Sequence, residues 1–397
     1  MFDFPFTTAR RGMLWVLGLA CSAAFAACGG SAAPSAAAIV SPASSSPSQS
    51  SSGQASSTAK PAPSGATSAA SKPAPAGSGA SAASGKPAAS GAASGATHIE
   101  MANSSLSGDS IPLWVAKDAG IFQKNGLDVN IQLINGAAAA MSTLLSGKVE
   151  FGNLGGSAVL TAVAGGADIV VLGTNSPVMP YKLYVPPDIK TAADLKGKKV
   201  DLGTIGSAVD VATKLGIKQL GLDPNTDVVY VTTGAHSAAT TALMNGAIQG
   251  RMDNPPGSVE LDAHGFHPLI DLASQKIPAA NSTISVTRGY LTAHHDVVQA
   301  FVDSIVQGSA RARADKAFTV NVLKKNFKSD DTNAMDAAYD FWMGEVIPPL
   351  PFAKPEQFTT AKDDLAKQNP KVESVDPAKL IDSSFVQSAA DRGLDKS

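Results

Sequence analysis

The chain has 397 residues, 44% of them hydrophobic, with 31 Lys and Arg against 33 Asp and Glu. Five of the basic and one of the acidic residues fall in the first 98, so the remainder carries a net charge of −6; with no basic run among aromatics, no nucleic-acid partner is expected. The two cysteines are Cys21 and Cys28, which leaves none further on for a disulfide, a thiol nucleophile or a cysteine-ligated metal.

Arg10 and Arg11 precede GMLWVLGLACSAAFAA, which is apolar and uncharged but shorter than the ~20 residues of a membrane-spanning helix. Residues 1–27 are therefore expected to be a secretory signal peptide, of the Sec or the twin-arginine kind. The small residues in FAACGGS resemble a bacterial lipoprotein processing site. That resemblance implies lipidation of Cys28 and anchoring to the extracytoplasmic face of the cell membrane. Residues 28–97 hold almost nothing but Ala, Ser, Pro and Gly, with Lys60, Lys72 and Lys86 as charges. Such a composition cannot offset the entropy of ordering, so a disordered tether is expected.

The folded part opens with HIEMANSS, alternating as a strand. In SGDSIPLWVAKDAGIFQKNG the period changes to helical, with Ile111, Trp114, Val115, Ala119 and Phe122 on one face, Pro112 in the first turn and Gly126 as the stop. LDVNIQLI reads as a strand, AAAAMSTLLSG as a helix, VEFG as a strand, GGSAVLTAVAGG as a helix and ADIVVLGT as a strand. This alternation predicts α/β with a largely parallel sheet. After YKLYVPPDI the pattern restarts: TAADLKGKKVDLG gives a short helix and a strand, SAVDVATKLGIKQLG a helix, DVVYVT a strand, SAATTALMNG a helix and AIQGRM a strand. The strand-like STISVTRG carries the chain back, and the rest is helical, interrupted at Pro348, Pro349 and Pro351. The expected division is 98–185 for the first part of lobe 1, 186–283 for lobe 2, and 284–397 for the return to lobe 1 with C-terminal helices. Two lobes joined by two crossings imply a cleft.

Two phrases are nearly the same, VEFGNLGGSAV from Val149 and VDLGTIGSAV from Val200. Each reads as strand, glycine loop and helix start, where a serine caps free N–H groups and glycine admits close approach, so each could receive an anion. Gly156, Ser157, Thr204, Gly206 and Ser207 are the candidate donors, although capping alone would also account for both serines. Asn175 and Ser176 follow a strand, as does Asn254; such Asn positions line ligands or simply make turns. Asp109 and Asp210 stand at helix starts, where a carboxylate caps well. If either faces the cleft, it would suit an amine or ring nitrogen. Trp114 and Trp342 read as core, and Tyr181 as a stacking group. His294 and His295 are neighbours pointing apart, so no metal site is expected there.

IPLWVAKDAGIFQKNGLDVNI, LLSGKVEFG, TAADLKGKKVDLG with Gly206 and Ser207, and LMNGAIQGRMDNPP occur in the order of the motifs of solute-binding proteins of the nitrate, sulfonate and taurine type. The chain resembles that family, and its pyrimidine-precursor-binding relatives, from about residue 98 to 395. Glu150 departs from the family's usual Asp. The resemblance implies a two-lobe periplasmic-binding-protein-like fold of type II, with the cleft between the lobes and the paired loops facing each other across it. It implies a monomeric extracytoplasmic receptor, without cofactor, that passes a small anionic or zwitterionic solute (a sulfonate, nitrate or a taurine-like compound) to an ABC permease. A pyrimidine or thiamine precursor, or an aromatic carboxylate, is the alternative solute. The competing class is an exported enzyme, for which the chain offers no Gly-x-Ser-x-Gly, no His-Glu-x-x-His and no cysteine beyond Cys28. A ligand-sensing protein would use the same residues.

Overall fold

The computed structural model describes residues 95–396 apart from Ala235. The expected signal peptide, Cys28 and most of the expected tether lie outside these residues.

The first lobe is built on strands β1 (Thr97–Asn103), β2 (Leu127–Leu133), β3 (Phe151–Leu154) and β4 (Ile169–Val178). Helices α1 (Ile111–Asp118) and α2 (Ile121–Lys124) link β1 to β2, α3 (Ala137–Leu145) links β2 to β3, and α4 (Gly156–Ala164) links β3 to β4. The single helix expected up to Gly126 is broken, because Gly120 takes φ +67, a left-handed conformation that no helix continues through. The apolar face survives the break: Ile111, Trp114, Val115 and Phe122 are all buried.

The second lobe holds β5 (Lys182–Val185), β6 (Lys199–Asp201), α5 (Ala208–Gln219), β7 (Val229–Val231), α6 (His236–Met244), β8 (Arg251–Asp253), α7 (Gly257–Ala263) and β9 (His267–Asp271). Strand β10 (Pro278–Thr287) returns to the first lobe. Helices α8 (Arg288–Ala293), α9 (His295–Ala314), α10 (Lys316–Phe327), α11 (Thr332–Phe341), α12 (Thr359–Ala366) and α13 (Ser384–Asp391) complete the chain.

Strand order is β2-β1-β3-β10-β4 in the first sheet. β1 runs parallel to β2 and β3, whereas β10 is antiparallel to both β3 and β4, so the sheet is mixed. In the second lobe β8-β5-β9 form one sheet, β6-β7 another, and a bridge from Val200 to Gly250 joins them. Because β5 already pairs with β8 and β9, the chain enters the second lobe ahead of the expected boundary at 186. Because β10 begins at Pro278, it also leaves ahead of 284. The two crossings run side by side, the Met179 N–H donating to the Ile277 carbonyl at 3.0 Å.

The cores follow the lobes. Ile99, Met101, Phe122, Phe151, Phe301 and Ile305 pack under the first sheet, with the rings of Phe151 and Phe301 stacked at 3.9 Å. Leu183, Val200, Val211, Ile217, Met252 and Leu272 fill the second lobe. Trp114 and Trp342 are buried among α1, α10 and α11, as their patterns predict. His294 lies against Tyr290 and His295 against Phe385. Among the described residues no group of His, Cys, Asp and Glu has the arrangement of a metal site.

Candidate functional site

A cavity of about 430 Å³ lies between the lobes. Its first-lobe wall consists of Ser104 to Ser107 after β1, Asp109, and Asn135 to Ala137 ahead of α3, with Gly155 ahead of α4. The second-lobe wall consists of Asp201 to Ser207 between β6 and α5 in part, His236 and Ser237 opening α6, Arg251 from β8, and Asn254 to Gly257 in part ahead of α7. Each of these helices follows a strand, so five helix N-termini, α3 to α7, meet at one space. The first-turn N–H groups of a helix lack intrahelical acceptors and carry its positive end, which favours negative charge close to those N-termini. Tyr181, on one crossing, and Asn281, on β10, also line the cavity, and Leu106, Leu133 and Phe327 make part of it apolar.

Four expected site residues, Asp109, Thr204, Ser207 and Asn254, line this cavity. Five do not. A Cβ on Gly156 would stand 2.6 Å from Cβ of Ala280 and 2.9 Å from a ring carbon of Phe358, so this glycine serves close packing, and its neighbour Gly155 faces the cavity. Ser157 is turned to an adjoining crevice of about 20 Å³ with Ala208, Asn281 and Gln357, room for little more than a water. Gly206 takes φ +77, and its N–H donates to Asp210 at 2.8 Å, so it has no donor to offer. Asn175 and Ser176 do not form a turn; β4 continues to Val178 against β10, and both side chains are buried, Ser176 Oγ accepting from Asn281. The second glycine loop is thus closed on itself. Ser207 Oγ caps α5 through the Asp210 N–H, and the Ser207 N–H donates to the Thr204 carbonyl.

The cap expected of Asp109 is also absent, since among the described residues no backbone N–H donates to its carboxylate. Its neighbours are Ser110, whose hydroxyl lies 3.1 Å from Oδ1, and a buried network of Asn103, Asn153 and Ser282. Asn103 ends β1 opposite Asn153 of β3, and Ser282 stands mid-strand in β10, which pairs with β3 on its other side. Burial raises the Asp109 carboxyl to about 7, against smaller opposing effects of Ser110, Asn153 and Ser282. Burial likewise raises the Tyr181 phenol, and Asp109 adds to the rise.

Across the cavity stands a cluster absent from the sequence reading. The Arg251 side chain is 2% exposed, with Nε 3.2 Å from Asp253, and Nη1 donating to the His236 carbonyl and to Thr240. His236 Nε2 is 2.8 Å from the other Asp253 oxygen. Burial alone would raise the Asp253 carboxyl, but Arg251 and His236 outweigh it and hold it below the usual range. The signal was present in GRMD, a charged pair inside an apolar strand, and it pointed to paired burial. The helix α7 that follows Pro255 and Pro256 was not among the expected elements.

The sequence pattern of the NMT1/THI5-like family matches residues 107–317, more than half of the chain. The chain belongs to the NMT1/THI5-like family. The matched segment runs from the first cavity wall through the whole second lobe to the start of α10. A binding protein of Brucella abortus is 25% identical over 235 residues, covering 55% of this chain and 68% of that protein. The periplasmic aliphatic sulphonate binding protein of Escherichia coli superposes with a TM-score of 0.58 at 20% identity, over 73% of this chain and 99% of that one. The periplasmic nitrate-binding protein of Synechocystis PCC 6803 gives a TM-score of 0.63 at 13% identity, over 75% of this chain and 89% of that one. At these identities the likeness is one of fold, the two-lobe fold of periplasmic binding proteins. Among the described residues no helix is long and apolar enough to cross a membrane.

Proposed function

We propose that this protein is an extracytoplasmic receptor that binds one small anionic or zwitterionic organic solute between its lobes and presents it, unchanged, to an ABC permease. The observation that carries the reading is the 430 Å³ cavity lined from both lobes by helix N-termini. Its volume lies within the range of small-molecule sites, about 300–1,000 Å³. Only a state with the lobes drawn together can touch a solute from both sides, so binding shifts the population toward closure. The named relatives support the reading: the Brucella protein is described as a binding protein, and the two solved neighbours take a sulphonate and nitrate. Asp109, Thr204, Ser207 and Asn254, joined by Tyr181, His236 and Arg251, are the proposed contacts. Cys28 is the proposed lipid anchor of a monomer, with residues up to about 97 as its tether.

A thermal-shift panel of nitrate, alkylsulfonates, taurine, aromatic carboxylates and aminopyrimidines tests this. A solute at 100 times its Kd adds about 2.7 kcal/mol of stability and is recovered intact. A panel without any stabilising member, or recovery of a bound compound as product, contradicts the reading.

A further inference from the structure

Asp109 is the one charged side chain of the first-lobe wall, and it is 4% exposed. Among the described residues no Lys, Arg or His lies within ion-pair distance of it. It caps no helix. The groups behind it, Asn103, Ser110, Asn153 and Ser282, are neutral; they hydrogen-bond with one another, and Ser110, Asn153 and Ser282 also bear on the Asp109 carboxyl, so it has neutral donors but no cation. On the cavity side stands the Tyr181 phenol, which also feels Asp253 and Arg251 of the second lobe. Burying a carboxylate without a cation costs several kcal/mol unless a partner arrives. The second-lobe wall shows the contrasting arrangement, where buried Asp253 already holds Arg251 and His236. Asp201 there is also spoken for, its Oδ1 accepting from the Thr233 N–H and hydroxyl.

We propose that Asp109 is the acceptor for a protonated nitrogen of the solute, so that the ligand class is a bipolar organic molecule with an ammonium or protonated ring nitrogen at one end and an anionic group at the other. This rests on the receptor reading above. The cation meets Asp109 on the first-lobe wall, and the anion lies toward the second-lobe wall, where the start of α6 brings His236 and Ser237 to the cavity. A solute of this kind bridges the lobes with opposite charges, which a simple inorganic anion cannot do. The apolar patch of Leu106, Leu133 and Phe327 leaves space for a short hydrocarbon or ring between the two ends.

Matched pairs decide it. Taurine against ethanesulfonate, and 3-(aminomethyl)benzoate against 3-methylbenzoate, are titrated calorimetrically into the full mature chain and its Asp109→Asn variant at pH 8. The nitrogen-bearing member of a pair binds the parent at least tenfold more tightly, and Asp109→Asn removes that margin while changing the Kd of its nitrogen-free partner less than twofold. Equal affinities within each pair in the parent, or an equal loss for both members in the variant, overturn the assignment of Asp109 and leave the receptor reading standing. If no member of these pairs or of the wider panel binds the parent, the receptor reading fails and this assignment fails with it. The comparison within the parent does not depend on the variant folding.

Discussion

The N–H of Gly206 donates to Oδ2 of Asp210 at 2.8 Å, across one turn at the head of α5. The other oxygen of Asp210 lies 2.8 Å from Lys214, which in turn reaches Asp364 of α12 at 3.3 Å. A cavity loop of the second lobe is therefore tied, through Asp210 and Lys214, to Asp364 on a helix that packs with the first. Burial would lower the Lys214 ammonium, but Asp210 and Asp364 outweigh it and raise it.

Asp210→Ala removes the acceptor of a buried N–H and one partner of Lys214. A loss of about 1–3 kcal/mol is expected in urea unfolding. Asp210→Asn keeps an oxygen for Gly206 and loses less. Equal losses for the two variants would show that the charge, not the loop, is what Asp210 supports.

The two glycines of the paired loops respond for different reasons. Gly156→Ala forces a Cβ against Ala280 and Phe358 and is expected to cost about 1–3 kcal/mol by overpacking. Gly206→Ala meets nothing within 4 Å but must hold a left-handed backbone, at about 1–2 kcal/mol. Thermal unfolding measures both; an unchanged midpoint for Gly156→Ala would contradict the packing role given to it.

Asp109 makes the unliganded protein sensitive to pH. Its carboxyl stands at about 7 in the folded chain, above the ordinary 3.8. Between these values the folded chain keeps a proton that the unfolded chain has lost. The contribution is therefore greatest below about pH 4, falls as the pH rises to about 7, and is level above that. Asp109→Asn is expected to be more stable than the parent by up to about 4 kcal/mol at pH 8 and to match it at pH 4. A variant less stable at pH 8 would contradict the unpaired state of this carboxylate.

Arg251 and Asp253 are expected to fail singly and recover jointly. Arg251→Met leaves a buried carboxylate with His236 alone and should cost about 3–5 kcal/mol. Arg251→Met with Asp253→Asn should cost less than Arg251→Met by itself, a coupling that a double-mutant cycle reads directly. Additive losses would show that the pair is not coupled.

Local pattern was legible in the sequence. The strand and helix alternation from Ile99 to Val171 could be read locally, because α1 and the start of β2 keep their apolar residues on a buried face, while β4, buried on both faces, opens as a continuous apolar run. Burial of Trp114 and Trp342 followed from the same rule. The site was harder, since its geometry depends on pairings distant in the chain. Asn175 and Ser176 looked like a turn before Pro177, yet β10, a hundred residues later, pairs alongside them and extends the strand. Gly155 and Gly156 are identical by composition, and only the position of Ala280 and Phe358 decides which one faces the cavity. The polar network behind Asp109 needs β1, β3 and β10 side by side, an order that no local signal carries.

Closure of the lobes on a solute is the central claim, and a distance measurement tests it most directly. Both cysteines precede residue 29, so Ala139→Cys in α3 and Ile205→Cys in the second-lobe loop, both exposed, accept a pair of labels in the folded region. The distance distribution between them is measured without solute and with the panel member that gives the largest thermal shift, at 100 times its Kd. A shortened and narrowed distribution on saturation is predicted, while the same distribution with and without bound solute would contradict the account.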